Sequence, residues 1–266
     1  MIPFSTCSLL ISTYNWPEAL ELVLESVKRQ TKLPDEVIVA DDGSGNATRE
    51  LIDKMRESFP CPLIHVWHED KGFRKCIIWN KAIVKIKSEY VVQIDGDCVI
   101  APRFIEDHLA NARPGFFTCG SRTLLTKERT EQLLKDGNIA ISPFAEGLRN
   151  RSNALRIPLL TRIFRERYSA RKPYISKGCN MGFWLKDLIR VNGYNEGISG
   201  WGREDAELEV RLMKAGVRRQ SLKFGAVQYH LFHKENDRSR DAANIELLNR
   251  VIAGTEFFTP NGIVKN

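Results

Sequence analysis

The stretch YVVQIDGD, residues 90–97, places two carboxylates directly after an apolar run. Its first five residues are typical of a buried β-strand, and Asp95-Gly96-Asp97 follow where that strand should end. Two acids at this position repel each other and lose hydration. A divalent cation would relieve both costs, since carboxylate oxygens suit Mg²⁺ or Mn²⁺, and Gly96 would let a ligand approach the backbone closely. A turn rich in Asp and Gly remains the alternative interpretation.

Strands and helices alternate on the N-terminal side of this stretch. Apolar runs predict four strands and helical spacing predicts three helices between them, with Pro17 in the first turn of the first helix. This β-α-β-α-β-α-β order predicts a single-domain α/β fold with a Rossmann-like, mostly parallel central sheet flanked by helices. The strands are predicted at 7–12, 36–40, 62–67 and 90–94, and the helices at 17–30, 47–58 and 72–86.

Three polar motifs follow the predicted strands: Thr13-Tyr14-Asn15, the DDGS turn at 41–44, and Asp95-Gly96-Asp97. Each alone fits ordinary turn chemistry. Ligands of open α/β sheets bind beyond the carboxyl ends of the strands, so the three motifs are expected to form one pocket. Asp42 could accept hydrogen bonds from a nucleotide base or ribose there. An Asx-turn that caps the next helix is the alternative for Asp42.

The later part of the chain contains a segment with a strong positive charge. Residues 121–173 are predicted to be a basic, irregular insertion between a half at 1–120 and a half at 174–266. Within it, 148–172 carries seven arginines and one lysine against a single acid, interleaved with Leu, Ile and Phe. Such a segment could contact an anionic membrane face, and a solvated insertion is the alternative.

Composition gives broader expectations. The 266 residues include 40 Lys and Arg against 33 Asp and Glu, a net charge of +7, which suggests phosphates, nucleic acid or an anionic membrane as partners. Six cysteines form no CxxC pair, so free thiols in a reducing compartment are expected. No secretory signal or apolar membrane span is recognised. We therefore expect a cytoplasmic protein, with peripheral contact at the inner membrane face as an extension.

Two further features carry chemistry in the C-terminal half. GWGRED, residues 200–205, places a tryptophan between glycines and two adjacent acids before a helical pattern. It is either a capped helix start or a reactive site, and the helix N-terminus should keep the Asp205 carboxylate ionised. His230 and His233 follow an apolar run, where they could bind a metal or phosphate or be structural.

These motifs together resemble two groups of glycosyltransferases. The N-terminal half is similar to family 2 glycosyltransferases of GT-A fold, and the C-terminal half to β-1,4-galactosyltransferases and chondroitin or hyaluronan polymerases. The resemblance covers about 5–120 and 174–237. It is carried by LISTYNWPE (10–18), DDGS (41–44), GFRKCIIWNKA (72–82), DGD (95–97), GCNMGFW (178–184) and NGYNEGISGWGREDAEL (192–208).

The resemblance implies an inverting, Mn²⁺- or Mg²⁺-dependent transfer of Gal, GalNAc, GlcNAc or a similar sugar. The donor would be a UDP-sugar, the acceptor a hydroxyl of a glycan or lipid-linked molecule, and the setting bacterial surface polysaccharide synthesis. The implied nucleotide-sugar site comprises Thr13, Tyr14, Asn15, Asp42, Asp95 and Arg74, with Lys75 as alternative to Arg74. Asp97 with His230 or His233 would bind metal, Asp205 would be the base with Glu204 beside it, and Trp201 and Asn180 would contact the acceptor.

Two other classes of protein fit part of this pattern. A sugar nucleotidyltransferase also pairs a nucleotide site with carboxylate-bound metal, but it should carry a glycine-rich, basic loop where this chain has TYNWPE. A non-catalytic binder of carbohydrate or nucleic acid would not need both DGD and GWGRED. The basic residues lack the aromatic interleaving of a single-strand platform, so no nucleic-acid partner is expected.

Overall fold

The computed structural model describes residues 6–170, 177–234 and 238–265, with the backbone alone over 166–170. The strands are β1 Cys7–Thr13, β2 Glu36–Asp41, β3 Leu63–Trp67, β4 Tyr90–Asp95, β5 Cys98–Ile100, β6 Phe116–Cys119, β7 Thr123–Leu125, β8 Leu148–Arg149, β9 Asn180–Trp184, β10 Arg218–Ser221 and β11 Gln228–His230. The helices are α1 Pro17–Lys28, α2 Asn46–Arg56, α3 Lys75–Ile83, α4 Phe104–Asn111, α5 Lys127–Asp136, α6 Pro158–Ala170, α7 Leu185–Arg190, α8 Glu204–Lys214 and α9 Asp241–Ala253, with a 3₁₀ turn at Arg151–Asn153.

The central sheet has seven strands in the order β10-β6-β9-β4-β1-β2-β3. Strand β1 pairs in parallel with both β2 and β4, and β3 continues the parallel set beside β2. Only β9 runs antiparallel, between β4 and β6. The register places Thr13 opposite Asp41 and Ser12 opposite Asp95, so the carboxyl ends of three strands meet at one edge. The mostly parallel sheet predicted from the sequence is confirmed.

Strand β1 is buried on both faces because helices cover both sides of the sheet. Side chains alternate along a strand, and the two hydrophobic clusters follow that alternation. Leu9 and Ile11 belong to the cluster that includes α1, whereas Leu10 belongs to the cluster that includes Trp79 of α3. The continuous apolar run of β1 is therefore the pattern of a central strand.

A second, four-stranded sheet has the order β5-β11-β7-β8. Strand β5 begins directly after Asp97, and it pairs antiparallel with β11 so that Cys98 lies opposite His230. None of these short strands except part of β11 was expected from the sequence. This sheet brings Cys98 and His230, which are 132 positions apart along the chain, next to the DGD turn.

The description of 121–173 as irregular was wrong. Helix α5 begins after Thr126, whose hydroxyl accepts a hydrogen bond from the Arg129 N–H at 3.3 Å. It ends at Gly137, which has φ of 65°. A threonine cap and a terminal glycine are ordinary helix boundaries, and the high charge of the segment hid them.

The basic segment 148–172 includes the whole of helix α6, and residues 171 and 172 lie outside the described part. Leu159 is 68% exposed and Ile163 is 52% exposed, so apolar side chains do face outward there. In the part of the chain that the structure covers, no helix combines the length and apolar character needed to cross a bilayer. Contact of this segment with an anionic membrane stays a prediction.

A buried hydrogen-bond chain joins four elements of the central sheet region. The Tyr90 hydroxyl lies 2.9 Å from Thr118 Oγ1, which lies 3.1 Å from His108 Nδ1. His108 Nε2 lies 3.0 Å from Asn180 Oδ1. Asn180 donates through its amide nitrogen to the Ser121 and Ala226 carbonyls, so its oxygen is the acceptor and His108 Nε2 carries the hydrogen. His108 is thus held neutral within this network.

Burial lowers the pKa of His108 to about 4 from an ordinary 6.5. The unfolded chain therefore takes up this proton below pH 6.5, whereas the folded chain does so only near pH 4. Stability should fall as the pH drops from 7 to 5, by about 2 kcal/mol from this residue. Urea unfolding at pH 7 and pH 5 measures this loss of unfolding free energy in the wild type and in His108→Gln. The loss in His108→Gln should be smaller than the wild-type loss by about 2 kcal/mol. Equal losses in the two proteins would contradict the assignment.

Candidate active site

A cavity of about 630 Å³ opens at the carboxyl ends of β1, β2 and β4. The second sheet and the segment around Trp201 form its other walls. The structure brings many of the predicted site residues together here, along with cations that the sequence did not single out. The lining includes Ser12, Thr13, Tyr14, Trp16, Asp42, Phe73, Lys75, Asp95, Asp97, Arg122, Arg149, Trp201, His230, His233, Lys234 and Arg238.

Asp42 is fixed in the wall by two donors. His68 Nε2 donates to Asp42 Oδ1 at 2.7 Å, and the Arg74 backbone N–H donates to Oδ2 at 2.8 Å. Burial raises the pKa of Asp42, although these two hydrogen bonds act in the opposite direction. The contact with Arg74 also explains why α3 begins at Lys75 and not at residue 72 as predicted. The preceding residues form the turn that carries this N–H to Asp42.

The Thr13-Tyr14-Asn15 motif divides between the cavity and the turn beside it. Thr13 and Tyr14 line the cavity, and the Tyr14 hydroxyl donates to Asp70 at 2.9 Å. Asn15 does not line the cavity. Its backbone N–H donates to Ser44 Oγ at 2.8 Å, and its side-chain oxygen accepts from the Gly45 N–H at 2.9 Å. Asn15 therefore connects the β1 loop to the DDGS turn.

Arg74 is a second residue whose predicted contact is not seen. Its guanidinium donates to the Glu69 carbonyl, and it is absent from the cavity lining. Lys75, the first residue of α3, lies in the cavity wall instead. The structure thus favours the alternative residue Lys75 over Arg74, because α3 begins at Lys75 and this side chain lies in the cavity wall.

Lys75 forms the central ion pair of the site. Its Nζ lies 2.7 Å from Asp95 Oδ1, which also accepts from Ser12 Oγ at 2.8 Å. Burial would lower the pKa of Lys75, but the charges of Asp95, Glu204 and Asp205 raise it well above its usual value. Burial would likewise raise the pKa of Asp95, and Lys75 holds it below its usual range. Both groups are therefore charged at neutral pH.

Gly96 allows the backbone of the DGD turn to approach strand β1 closely. Its N–H donates to the Ser12 carbonyl at 2.6 Å, and a Cβ at this position would lie 2.7 Å from that oxygen. The expectation that Gly96 makes room for a ligand is therefore replaced by a packing reason: a side chain here would push the DGD turn off β1.

Asp97 and two histidines form a cluster suited to a cation. His230 Nε2 lies 3.6 Å from Asp97 Oδ1, and His233 Nε2 lies 3.3 Å from Oδ2. Each ring points its Nδ1 at a backbone carbonyl, of Leu231 at 2.8 Å and of Lys234 at 2.6 Å. A carbonyl can only accept, so Nδ1 carries a hydrogen, and this leaves Nε2 as the nitrogen that could bind a cation. One carboxylate and two such imidazoles are a donor set that fits Mn²⁺ or Mg²⁺.

The GWGRED segment is held against helix α9. Arg203 has φ of 77°, and its guanidinium contacts Asp241 through two bonds of 2.8 and 3.0 Å. The Asn244 amide donates to the Ser199 and Gly202 carbonyls at 3.1 Å. These contacts place Trp201 in the cavity wall.

Asp205 is the second residue of helix α8, and its carboxylate is enclosed. Oδ2 accepts from the Gly178 N–H at 2.6 Å, whereas Oδ1 is buried without a hydrogen-bond partner in the described part of the chain. A Cβ at residue 178 would lie 2.1 Å from Oδ1, so only glycine fits there. Glu204 is also buried, and its Oε2 accepts from the Gly202 N–H at 3.1 Å. Neither carboxylate lines the cavity.

Burial and the neighbouring Glu204 raise the pKa of Asp205 well above its usual value. The Gly178 N–H and Lys75 act in the opposite direction but do not compensate. The helix N-terminus favours the ionised form of Asp205, as expected from the sequence, but desolvation by burial acts against it and raises the pKa.

Asn180 does not contact the cavity either. Its side chain is 1% exposed, and its amide is occupied by His108 and by the carbonyls of Ser121 and Ala226. A Cβ on Gly120 would lie 2.2 Å from Asn180 Nδ2, which shows how tightly the amide is enclosed. The predicted acceptor contact of Asn180 is thus replaced by a structural role.

Several lining residues were missed by sequence reasoning. Trp16 lies within a motif that was noticed, and its aromatic ring was a usable signal. Arg122 and Arg149 come from the segment described as irregular, and only the second sheet brings them to the cavity. Nothing local in the sequence marks these two arginines.

Comparison with protein families agrees with this architecture. The model of glycosyl transferase family 2 matches residues 8–176, which is more than half of the chain. The model described as the N-terminal domain of galactosyltransferase matches residues 161–235. Both halves of the resemblance predicted from the motifs are confirmed.

Individual relatives match a large share of this chain. Validoxylamine A glucosyltransferase of Streptomyces hygroscopicus subsp. limoneus is 26% identical over 221 residues, covering 79% of this chain and 48% of the relative. Chondroitin synthase of Escherichia coli is 27% identical over 251 residues, covering 88% of this chain and 36% of the relative. This chain therefore spans about half the length of these curated relatives, or less.

Two solved structures show the fold. A mannosyltransferase of Pyrobaculum calidifontis, in complex with GDP-Man and Mn²⁺, has a TM-score of 0.67 at 19% identity, covering 95% of this chain and 66% of that chain. GalNAc-T7 with UDP, GalNAc and Mn²⁺ has a TM-score of 0.65 at 15% identity, covering 88% and 45%. The predicted GT-A fold is confirmed.

The raised pKa of Asp205 predicts that its carboxylate destabilises the fold. When folding raises the pKa of an acid, the free energy of unfolding decreases as the pH rises from the pKa of the unfolded chain to that of the folded chain. The loss of stability is complete above the folded pKa. Asp205→Asn should therefore be more stable than the wild type at pH 7, with the difference shrinking toward pH 4. Urea unfolding at both pH values measures this. Asp136→Asn, at an exposed position, should have little effect. Equal stability of Asp205→Asn and wild type at pH 7 would contradict the prediction.

Proposed function

The chain belongs to glycosyl transferase family 2, and we propose that it transfers a sugar from a UDP-sugar to an acceptor hydroxyl with inversion at the anomeric carbon. The observation that carries the proposal is that three groups of side chains line one cavity. They are Asp42 of the DDGS turn (the nucleotide-type turn), Asp97 with His230 and His233 (the metal-type cluster), and the aromatic Trp201. A glycan or lipid-linked acceptor in surface polysaccharide synthesis is the context proposed. Structures with UDP or GDP-Man bound share this fold, which supports a nucleotide-sugar donor.

The donor is proposed to bind along the strand ends. Asp42 is held by His68 and the Arg74 N–H and is not free to rotate, so its remaining lone pairs have fixed directions toward a base or ribose. Thr13 and Tyr14 lie on the same wall and would complete the uridine site. Asp95 is neutralised by Lys75, which leaves its second oxygen to interact with ribose hydroxyls.

The metal is proposed to bind at Asp97 with His230 or His233. A divalent cation there would supply positive charge opposite the leaving diphosphate as the glycosidic bond breaks. The protein contributes imidazoles whose tautomers are already fixed by the Leu231 and Lys234 carbonyls. Mn²⁺ and Mg²⁺ both suit this donor set.

Asp205 is proposed as the general base. The acceptor oxygen forms its bond to the anomeric carbon as the diphosphate leaves, and the hydroxyl proton passes to Asp205 Oδ1. The Gly178 N–H fixes the other oxygen, and a raised pKa suits a base that must accept a proton near neutral pH. Because Oδ1 is enclosed, the protein around it must rearrange for the acceptor to reach it. Glu204 lies beside Asp205 and would orient hydroxyl groups.

Trp201 is proposed as the platform for the acceptor sugar. It lines the cavity between the metal-type cluster and the start of helix α8. An indole face packs well against the apolar face of a sugar ring. Contact of 148–172 with an anionic membrane would hold the enzyme near a lipid-linked acceptor, and the exposed Leu159 and Ile163 support that part of the proposal.

The base assignment predicts a selective loss of chemistry. Asp205→Asn keeps the size of the side chain and an acceptor for the Gly178 N–H, but it cannot take a proton. Transfer should fall by about 10²–10⁴-fold, while UDP affinity stays within a few-fold. Release of UDP from a panel of UDP-sugars, with oligosaccharide acceptors, measures the first quantity, and calorimetry measures the second. Near wild-type turnover in this variant would remove Asp205 from the mechanism.

The metal assignment predicts different effects of the two histidines. His230 lies on a strand and groups with Asp97 within 4.8 Å, whereas His233 follows in the loop. His230→Ala should weaken Mn²⁺ binding by at least about 10–100-fold, and His233→Ala should weaken it less. Calorimetry with Mn²⁺ alone gives both affinities, and chelation should abolish UDP-sugar hydrolysis. The reverse order would assign the ligand role to His233, and Mn²⁺ binding unchanged in both variants would refute this site.

A second assay, with UTP and sugar 1-phosphates as substrates, separates the alternative enzyme class. A sugar nucleotidyltransferase would form UDP-sugar from them and release pyrophosphate. We expect no pyrophosphate from this protein in that assay, and UDP release from UDP-sugar in the first one. Pyrophosphate formation without UDP release would favour the nucleotidyltransferase.

A further inference from the structure

One side chain at the metal-type cluster has no part in the proposed transfer. Cys98 follows Asp97 directly, and its thiol donates to Asp97 Oδ1 at 3.4 Å. The donor atoms of Asp97, Cys98 and His230 all lie within 4.8 Å of one another. A thiolate sulfur is a soft ligand that Zn²⁺ binds well, whereas Mn²⁺ and Mg²⁺ prefer oxygen ligands.

Strand pairing places this thiol beside the imidazole. Cys98 and His230 are directly opposite in the antiparallel pair β5–β11, and side chains of such a pair project on the same face. The Cys98 side chain is buried, so the thiol has a fixed position in the second sheet. Two separate observations therefore place the Cys98 thiol at the cluster: the strand register and the hydrogen bond to Asp97.

We propose that Cys98 makes this cluster an inhibitory zinc site. The proposal rests on the proposed function in one respect, namely that Asp97 is where the catalytic cation binds. Zn²⁺ would take Asp97, Cys98 and His230, and the thiol proton would pass to solvent as the sulfur–zinc bond forms. His233, whose Nε2 already contacts the other oxygen of Asp97 at 3.3 Å, would be the fourth ligand.

The number of protein ligands explains the inhibition. Structural zinc sites are tetrahedral and closed, whereas a catalytic site keeps an open position. Four protein ligands would fill the zinc tetrahedron and leave no position for the donor diphosphate. A harder ion of higher coordination number, bound without the sulfur, retains such positions. The same cluster would therefore accept an activating ion and a blocking ion of the same charge.

Cobalt(II) binding to the whole chain tests the ligand directly. Co²⁺ coordinated by a thiolate shows a sulfur-to-metal charge-transfer band in the near ultraviolet, besides the weaker visible bands that any Co²⁺ site shows. We expect the charge-transfer band in the wild type and its loss in Cys98→Ser, with visible bands retained. Cys61→Ser, remote from the cavity, should keep both. Retention of the charge-transfer band in Cys98→Ser, or its loss in Cys179→Ser alone, would overturn the proposal.

Competition between metals measures the selectivity. A chromophoric chelator gives the affinities for Zn²⁺ and Mn²⁺ in the wild type, Cys98→Ser and Cys98→Ala. The preference for zinc should fall by more than the roughly 10–100-fold that loss of an outer-shell partner costs. An unchanged preference in variants with wild-type circular dichroism would refute the role of the sulfur. Visible Co²⁺ bands without any charge-transfer band would refute it while leaving the Asp97 site intact, and no Co²⁺ binding at all would refute both.

Discussion

The site depends on one buried ammonium group. Lys75 Nζ contacts Asp95 directly, and the charges of Glu204 and Asp205 reach it from helix α8. Without a cation at this point, three carboxylates would approach each other in a region of low dielectric constant, where repulsion is strong. One lysine does not neutralise all three, which agrees with the raised pKa of Asp205. Three carboxylates therefore share one ammonium group at this point of the site.

The two sheets contribute different things to this arrangement. The parallel strands β1, β2 and β4 end at one edge and deliver the nucleotide-type turn and Asp95. The short second sheet adds His230 and Cys98 beside Asp97, across a register that only the folded chain defines. The metal-type cluster lies where the two sheets meet. Backbone carbonyls also accept hydrogen bonds from Nδ1 of both imidazoles. The main chain therefore helps to orient these two rings toward Asp97.

Much of the central sheet could be predicted because buried strands are continuous apolar runs and their order fixes where the carboxyl ends meet. That reasoning placed Thr13, Asp42 and Asp97 on one cavity. The second sheet was not predictable, since strands of two or three residues carry no periodicity and depend on distant partners. Arg74 and Asn180 failed for a related reason. Their residue types suggested binding, but a helix start at Lys75 and not at residue 72, and a buried amide network, directed these side chains elsewhere.

The attachment of the GWGRED segment to helix α9 has a consequence for how it responds to ionic strength. Two kinds of contact connect the segment to helix α9: the Arg203–Asp241 ion pair, which is partly exposed, and the buried Asn244 amide, which bonds two carbonyls. Counter-ions screen an exposed pair but not a buried amide. High ionic strength should therefore weaken the Arg203–Asp241 contact first, while the Asn244 amide keeps its bonds to the Ser199 and Gly202 carbonyls. Those two carbonyls lie on either side of Trp201 in the sequence, so the backbone that carries the indole stays attached to helix α9 even when the ion pair is screened.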